Sequence, residues 1–173
     1  YSPAKARLGE LLFFDPILSG SRARSCASCH SPSLSWTDGL PRALSDTQTS
    51  MSLRSPTLLN VGTVPILGWD GKFPSLEAVT FGPITAANNM NLSEAELVKR
   101  LSVIPGYVEA FRAAFGNDAI SRHNIEQAVA TYERSIVSTP APFDRWINGD
   151  KKAISEKAKR GFDIFNGKAN CAA

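Results

Sequence analysis

Apolar residues recur at helical spacing at both ends of the chain and lose that period in between. Ser2-Pro3 reads as an N-cap followed by proline at the first helical position, with Leu8, Leu11 and Leu12 on one face, and Asp15-Pro16 stops the run. Residues 16 to 92 hold most of the Ser, Thr, Gly and Pro, and show little helical period beyond a turn or two around Cys26 and near Leu76 to Thr80. Clear helix returns at Ser93-Glu94-Ala95-Glu96, a capping box followed by Leu97, Leu101 and Ile104 on one stripe, until Pro105-Gly106 breaks the chain. Tyr107 to Phe115 predicts the next helix, with Val108, Phe111 and Phe115 inward and Gly116 as its C-cap. Ser121 caps a longer one carrying Ile125, Ala128, Val129, Tyr132 and Ile136, ended by Pro140 and Pro142. A last helix from about Ser155 places Ala158, Phe162 and Phe165 inside and Lys157, Lys159 and Arg160 in solvent. The pattern is all-α with a long irregular middle, and such a stretch needs something to pack on.

Composition narrows the classes. The 173 residues are 43% hydrophobic and 20% charged, a globular balance far from that of disordered chains. Nineteen Lys plus Arg against sixteen Asp plus Glu leave a net charge of only +3, too small an excess for a dedicated phosphate-binding surface, so nucleic acid is not an expected partner. No apolar run approaches the roughly 20 residues that a bilayer demands of a helix, so no membrane span is expected. The chain opens at Tyr1 without a charged-then-apolar leader, which suits a mature protein whose export signal has been removed.

Three cysteines are too few for a disulfide framework, and their spacing says more than their number. Cys26-Ala27-Ser28-Cys29-His30 is the attachment signature of c-type haem: two thiols three positions apart form thioethers to the two vinyl groups, and the adjacent His30 lies under the iron. Two other readings compete. A redox Cys-x-x-Cys sits between a strand and a helix, and a zinc site needs a second ligand pair; here His123 is the only other histidine and Cys171 is almost at the far end. Met51 and Met90 are the candidate sixth ligands of an electron-transfer cytochrome, against the commoner role of methionine as core filler.

With these pieces in place the sequence resembles the bacterial di-haem cytochrome c peroxidase and MauG family. The resemblance rests on Leu8-Gly9-Glu10-Leu11-Leu12-Phe13-Phe14-Asp15, the haem motif, Thr37-Asp38-Gly39, Arg54-Ser55-Pro56-Thr57-Leu58-Leu59-Asn60, Trp69-Asp70-Gly71-Lys72, Gly82-Pro83-Ile84, Pro105-Gly106-Tyr107 and Tyr132-Glu133-Arg134-Ser135-Ile136-Val137. Pro142-Phe143-Asp144-Arg145-Trp146 and Ala158-Lys159-Arg160-Gly161 continue it, so it spans nearly the whole chain.

The resemblance implies a cytochrome c-like haem domain with long irregular loops over residues 1–150, followed at 151–173 by the first helix of a second such domain. Two c-haems are then expected in the complete protein, and Asn170-Cys171-Ala172-Ala173 looks like a second Cys-x-x-Cys-His cut after its third residue. Taken alone, Cys171 reads as a free terminal thiol. The implied function is a periplasmic c-type oxidoreductase using hydrogen peroxide or high-valent iron to oxidise an electron-donor or substrate protein. The same resemblance gives Trp69 the place of a tryptophan between the haems and Asn60 that of a calcium ligand, where an amide oxygen suits a hard cation. Without it, Trp69 is a buried aromatic beside an Asp-Gly turn.

One departure bears on chemistry. After Gly82-Pro83-Ile84 the family usually places a glutamate just before a Met, and this chain has Asn89-Met90. An amide orients peroxide by hydrogen bonding but does not relay a proton at neutral pH, which implies slow peroxide turnover or a specialised oxidation of the MauG kind. The alternatives are a c-type cytochrome confined to electron transfer, and a fragment that binds no haem.

Overall fold

The computed structural model describes residues 1–117 and 120–172, and the chain divides into two compact units, Tyr1–Val137 and Ser138–Ala173. The described residues are helical or irregular: pairing between extended segments is confined to the isolated bridges Ser31 to Thr37, Leu44 to Ser50 and Leu67 to Phe73. The all-α, cytochrome c-like expectation holds.

In the first unit, α1 (Pro3–Phe14) starts as its sequence requires, with the Ser2 hydroxyl accepting from the Lys5 N–H and Pro3 at the first turn. It buries Leu8, Leu12 and Phe13, whereas Leu11 points to solvent, which corrects the expected face. The reason is Gly9: a Cβ built there would lie 2.0 Å from the Ala128 carbonyl oxygen, so this side of α1 presses backbone to backbone on α5 (Arg122–Glu133) and rotates Leu11 away. Between them α2 (Leu76–Thr85) grows well beyond the expected turn, because the Ser75 cap and the burial of Leu76, Phe81 and Ile84 carry it through Pro83. Next come α3 (Glu94–Ser102) and α4 (Pro105–Phe115); the latter begins at Pro105, where the sequence suggested only a break, because proline is preorganised for the first helical position. Gly116 closes α4 at φ 76°.

Leu8, Leu12, Phe81, Leu97, Phe111 and Ile125 form the main core, with a second cluster of Phe13, Leu58, Val61, Leu67, Leu76 and Ile136 beneath the irregular loops. Helix α5 stops at Glu133, so Ile136 reaches that second cluster from the following turn. Met90 is 5% exposed and packs in the main core, the commoner role of a methionine.

In the second unit α6 (Pro142–Ile147) starts at the proline expected to end a helix, and α7 (Glu156–Asn166) is capped by Ser155. Phe162 packs against Phe143 and Trp146 at centroid distances of 5.1 and 5.3 Å, while Ala158 and Phe165 are exposed, contrary to their expected inward positions.

Candidate haem site

The chain reaches the motif along a 3-10 turn, Pro16–Leu18, and the irregular residues 19–24, whose carbonyls are held from outside. Arg100 of α3 donates to the Ile17, Ser19 and Gly20 carbonyls at 3.2, 2.8 and 3.5 Å, and the fully buried Ser19 accepts from the Arg24 N–H. A short 3-10 turn, Cys26–Ser28, follows. Its Cys26 carbonyl accepts from both the Cys29 and the His30 N–H, at 3.1 and 2.9 Å, which winds the three motif residues into one tight turn.

His30 is half-buried, and its Nδ1 lies 3.2 Å from the Trp36 carbonyl oxygen. With the proton on Nδ1 that nitrogen donates to Trp36 and Nε2 keeps the lone pair a metal requires. Burial lowers the pKa of the imidazole, against the opposing pull of the Trp36 and Pro56 carbonyls and of Asp38, so the neutral, ligating form is favoured. Trp36 is itself fixed: φ is 60°, its N–H donates to the Ser31 carbonyl at 2.8 Å, and its indole packs on Phe13 of α1 and Tyr132 of α5 at 5.9 and 6.2 Å. Nothing in the sequence marks Trp36, since a loop aromatic six residues past the histidine follows no periodic rule.

Neither cysteine is in a disulfide. Cys29 Sγ accepts from Arg24 Nη2 at 3.3 Å. Burial, reinforced by the charge of Glu133, pushes the Cys26 thiol up to about 12. A thiolate at that position is therefore opposed, whereas a thioether carries no charge and suits the apolar cluster in which Cys26 and Ala27 pack. Among the described residues no three His, Cys, Asp or Glu side chains converge to hold a metal ion, and the Cys26 turn has no strand before it, so neither the zinc nor the redox reading finds its context. The donor set fits covalent haem.

Glu133 was missed by sequence reasoning. Its carboxyl, desolvated at the end of α5, is raised to about 8, with Arg134 opposing and Glu77 reinforcing the shift. A glutamate before an arginine reads as a surface pair, yet Arg134 is engaged by Glu77.

The other expected residues lie apart from the turn. Asn60 is exposed in a left-handed conformation at φ 58°; its N–H donates to the Ile136 carbonyl at 2.9 Å and its carbonyl accepts from Thr63 Oγ1 at 2.8 Å. Trp69 is 60% exposed, not buried as an aromatic beside a turn would be, and its indole N–H donates to the Arg54 carbonyl at 3.0 Å. It lines an open surface groove with Pro41, Arg42, Leu53 and Arg54. Asn89 is half-buried in the turn after α2, and Cys171 is an exposed free thiol in the second unit.

Residues 3–152 match the family described as di-haem cytochrome c peroxidase. The chain belongs to the di-haem cytochrome c peroxidase family. Among curated members it is similar to the methylamine utilization protein MauG of Methylorubrum extorquens, 49% identical over 173 residues that cover 99% of this chain and 49% of that protein. MauG of Methylophilus methylotrophus is 50% identical over 171 residues, covering 98% and 51%. The cytochrome c551 peroxidase of Pseudomonas aeruginosa is 33% identical over 166 residues, covering 95% and 48%. The chain thus spans about half the length of the curated relatives it matches. Of solved structures, a MauG-like protein associated with microbial copper homeostasis superposes with a TM-score of 0.89 at 29% identity, covering 96% of this chain and 50% of that one. The diheme peroxidase BthA of Burkholderia thailandensis gives 0.81 at 25% identity, covering 95% and 46%. Family membership makes c-type haem the group expected on Cys26, Cys29 and His30.

Proposed function

We propose that this chain is the first haem-bearing portion of an exported, periplasmic di-haem oxidoreductase that uses peroxide to oxidise a partner protein, closer to MauG than to an ordinary peroxidase. The observation carrying the reading is the motif turn itself: two unpaired thiols and a neutral imidazole in one turn, with a backbone carbonyl on Nδ1. Bound haem supplies the electron transfer with peroxide. Cys26 and Cys29 would hold it through thioethers and His30 would ligate the iron through Nε2, while the Trp36 carbonyl on Nδ1 orients the imidazole.

Asn89 stands where the family usually places a glutamate, and its amide would orient peroxide by donating a hydrogen bond. It does not take the proton that heterolysis requires moving, which makes turnover slow and favours oxidation of a second protein over rapid peroxide consumption. Trp69, whose indole is exposed and pinned to Arg54, is the aromatic through which electrons leave this domain. Asn60 contributes an oxygen to a calcium ion, and Cys171 begins the second haem attachment.

The test uses the complete protein made in cells competent for cytochrome c maturation. Mass spectrometry of the peptide containing residues 26–30 is expected to show the added mass of haem, and the ferric spectrum a high-spin component. Peroxide turnover with a reduced cytochrome donor is expected to be slow and to rise by about 100-fold in Asn89→Glu, the usual worth of a placed general acid–base. Fast turnover in the parent, or a wholly low-spin spectrum, overturns the reading.

A further inference from the structure

The backbone of Asn89 and Met90 is held on all four sides. Their N–H groups donate to the Ala86 and Pro83 carbonyls at the end of α2, at 2.9 and 3.1 Å. Their carbonyls accept from two other segments: Asn89 O from the Asp46 N–H at 2.8 Å, and Met90 O from the Gly20 N–H at 2.7 Å. Gly20 belongs to the loop that leads into the haem turn, and it admits no side chain, since a Cβ there would lie 2.5 Å from the Asn91 carbonyl oxygen.

Asp46 is a loop residue with no helix to fix it, sitting in the 43–53 excursion that returns through the Leu44 to Ser50 bridge. What fixes it is Ser21, next to Gly20 on that same loop. One carboxylate oxygen accepts from the Ser21 N–H at 3.1 Å and the other from the Ser21 hydroxyl at 2.5 Å. The Ser21 oxygen in turn accepts from the Ala23 N–H at 3.1 Å, and Arg100 locks the carbonyls just before it. A continuous chain of hydrogen bonds therefore runs from the segment entering Cys26, through the Asp46 side chain to the Asp46 backbone, and on to the carbonyl of Asn89.

We infer that Asp46 is a positioning residue: by anchoring its loop on Ser21 it sets, through its own N–H, where the Asn89 amide stands relative to a ligand on the open side of the haem. This deepens the reading of Asn89 given above and rests on it. The amide of Asn89 acts only if its donor reaches the ligand within about 3 Å, and a hydrogen bond weakens steeply when misaligned. Two of the four backbone restraints come from the end of α2. The other two tie the pair to the segment entering the haem turn, directly through Gly20 and by way of Ser21 through Asp46.

The experiment is cyanide binding to the ferric holoprotein, a probe that accepts a hydrogen bond at its distal atom and needs no turnover. Asn89→Ala is expected to weaken cyanide binding about 5- to 10-fold, the range for one lost hydrogen bond. Asp46→Ala is expected to weaken it by a similar factor, with the unliganded Soret band unchanged, and the double variant to lose no more than either single. Asp46→Asn keeps an acceptor for Ser21 and is expected to restore most of the affinity. If Asp46→Ala does not fold, Ser21→Ala, which removes the hydroxyl alone, carries the test and gives a smaller loss in the same direction. Unchanged affinity in Asp46→Ala beside a weakened Asn89→Ala overturns the positioning role, as do losses that multiply in the double variant. Unchanged affinity in Asn89→Ala itself is a separate result, and it removes the distal reading of Asn89 together with this one.

Discussion

Glu77 and Arg134 meet in a two-pronged ion pair, Nη1 to Oε1 at 2.7 Å and Nη2 to Oε2 at 2.9 Å, that ties α2 to the turn ending α5. Paired nitrogens facing paired oxygens make the strongest form of this contact, although partial exposure limits its worth. The hydrogen bonds from Arg134 hold the Glu77 carboxyl below its usual range. A depressed carboxylate stabilises the fold above its unfolded pKa, and that increment disappears as pH falls through the folded value. Glu77→Gln is therefore expected to lower unfolding free energy by about 0.5–1 kcal/mol at pH 7, with the gap closing in acid, as read by urea denaturation.

Glu133 behaves in the opposite sense. Its carboxyl rises from an ordinary 4.5 to about 8, first because of burial. The folded state then holds a proton that the unfolded state has released, so the stabilising contribution is complete below 4.5 and is lost as pH rises to about 8. Thermal unfolding of the parent is expected to weaken across that window, and Glu133→Gln to remove the dependence. A parent and variant that track one another from pH 5 to 9 would contradict this.

Leu8 and Leu11 separate the observed face of α1 from the one the sequence suggested. Leu8 is 1% exposed and Leu11 49%. Leu8→Ala is expected to destabilise by about 2–5 kcal/mol and Leu11→Ala by under about 0.5 kcal/mol in chemical denaturation.

Gly9 is the contact point of α1 with α5. Gly9→Ala would ordinarily help a helix, but here the added methyl meets the Ala128 carbonyl oxygen at 2.0 Å and Tyr132 Cβ at 2.8 Å. A loss of about 1–3 kcal/mol is expected, together with a shifted Soret band, because α5 also carries Tyr132 against Trp36.

Much of the helical frame could be read from local signals, because those signals are local in cause. The caps at Ser2, Ser93, Ser121 and Ser155 and the stop at Gly116 each depend on a few neighbouring residues, and each is where its residues place it. Proline misled twice, at Pro105 and Pro142, since the same ring that ends one helix begins another. The rotation of Leu11 and the length of α2 depend on contacts from residues over fifty positions away, which no window reveals. At the site, the thiols and His30 were legible because covalent chemistry demands their spacing. Trp36, Glu133 and Asp46 were not, for they act through a carbonyl, a desolvated carboxyl and a backbone N–H, none of which leaves a pattern in the sequence.

Trp36 lends its carbonyl to His30 and its indole to the junction of α1 with α5. The tilt of the imidazole is thereby tied to the way those two helices cross, and with it the absorption of the haem that His30 would ligate. Warming the holoprotein should shift its colour while helicity is still intact, making the chromophore a built-in strain gauge for a crossing many residues away.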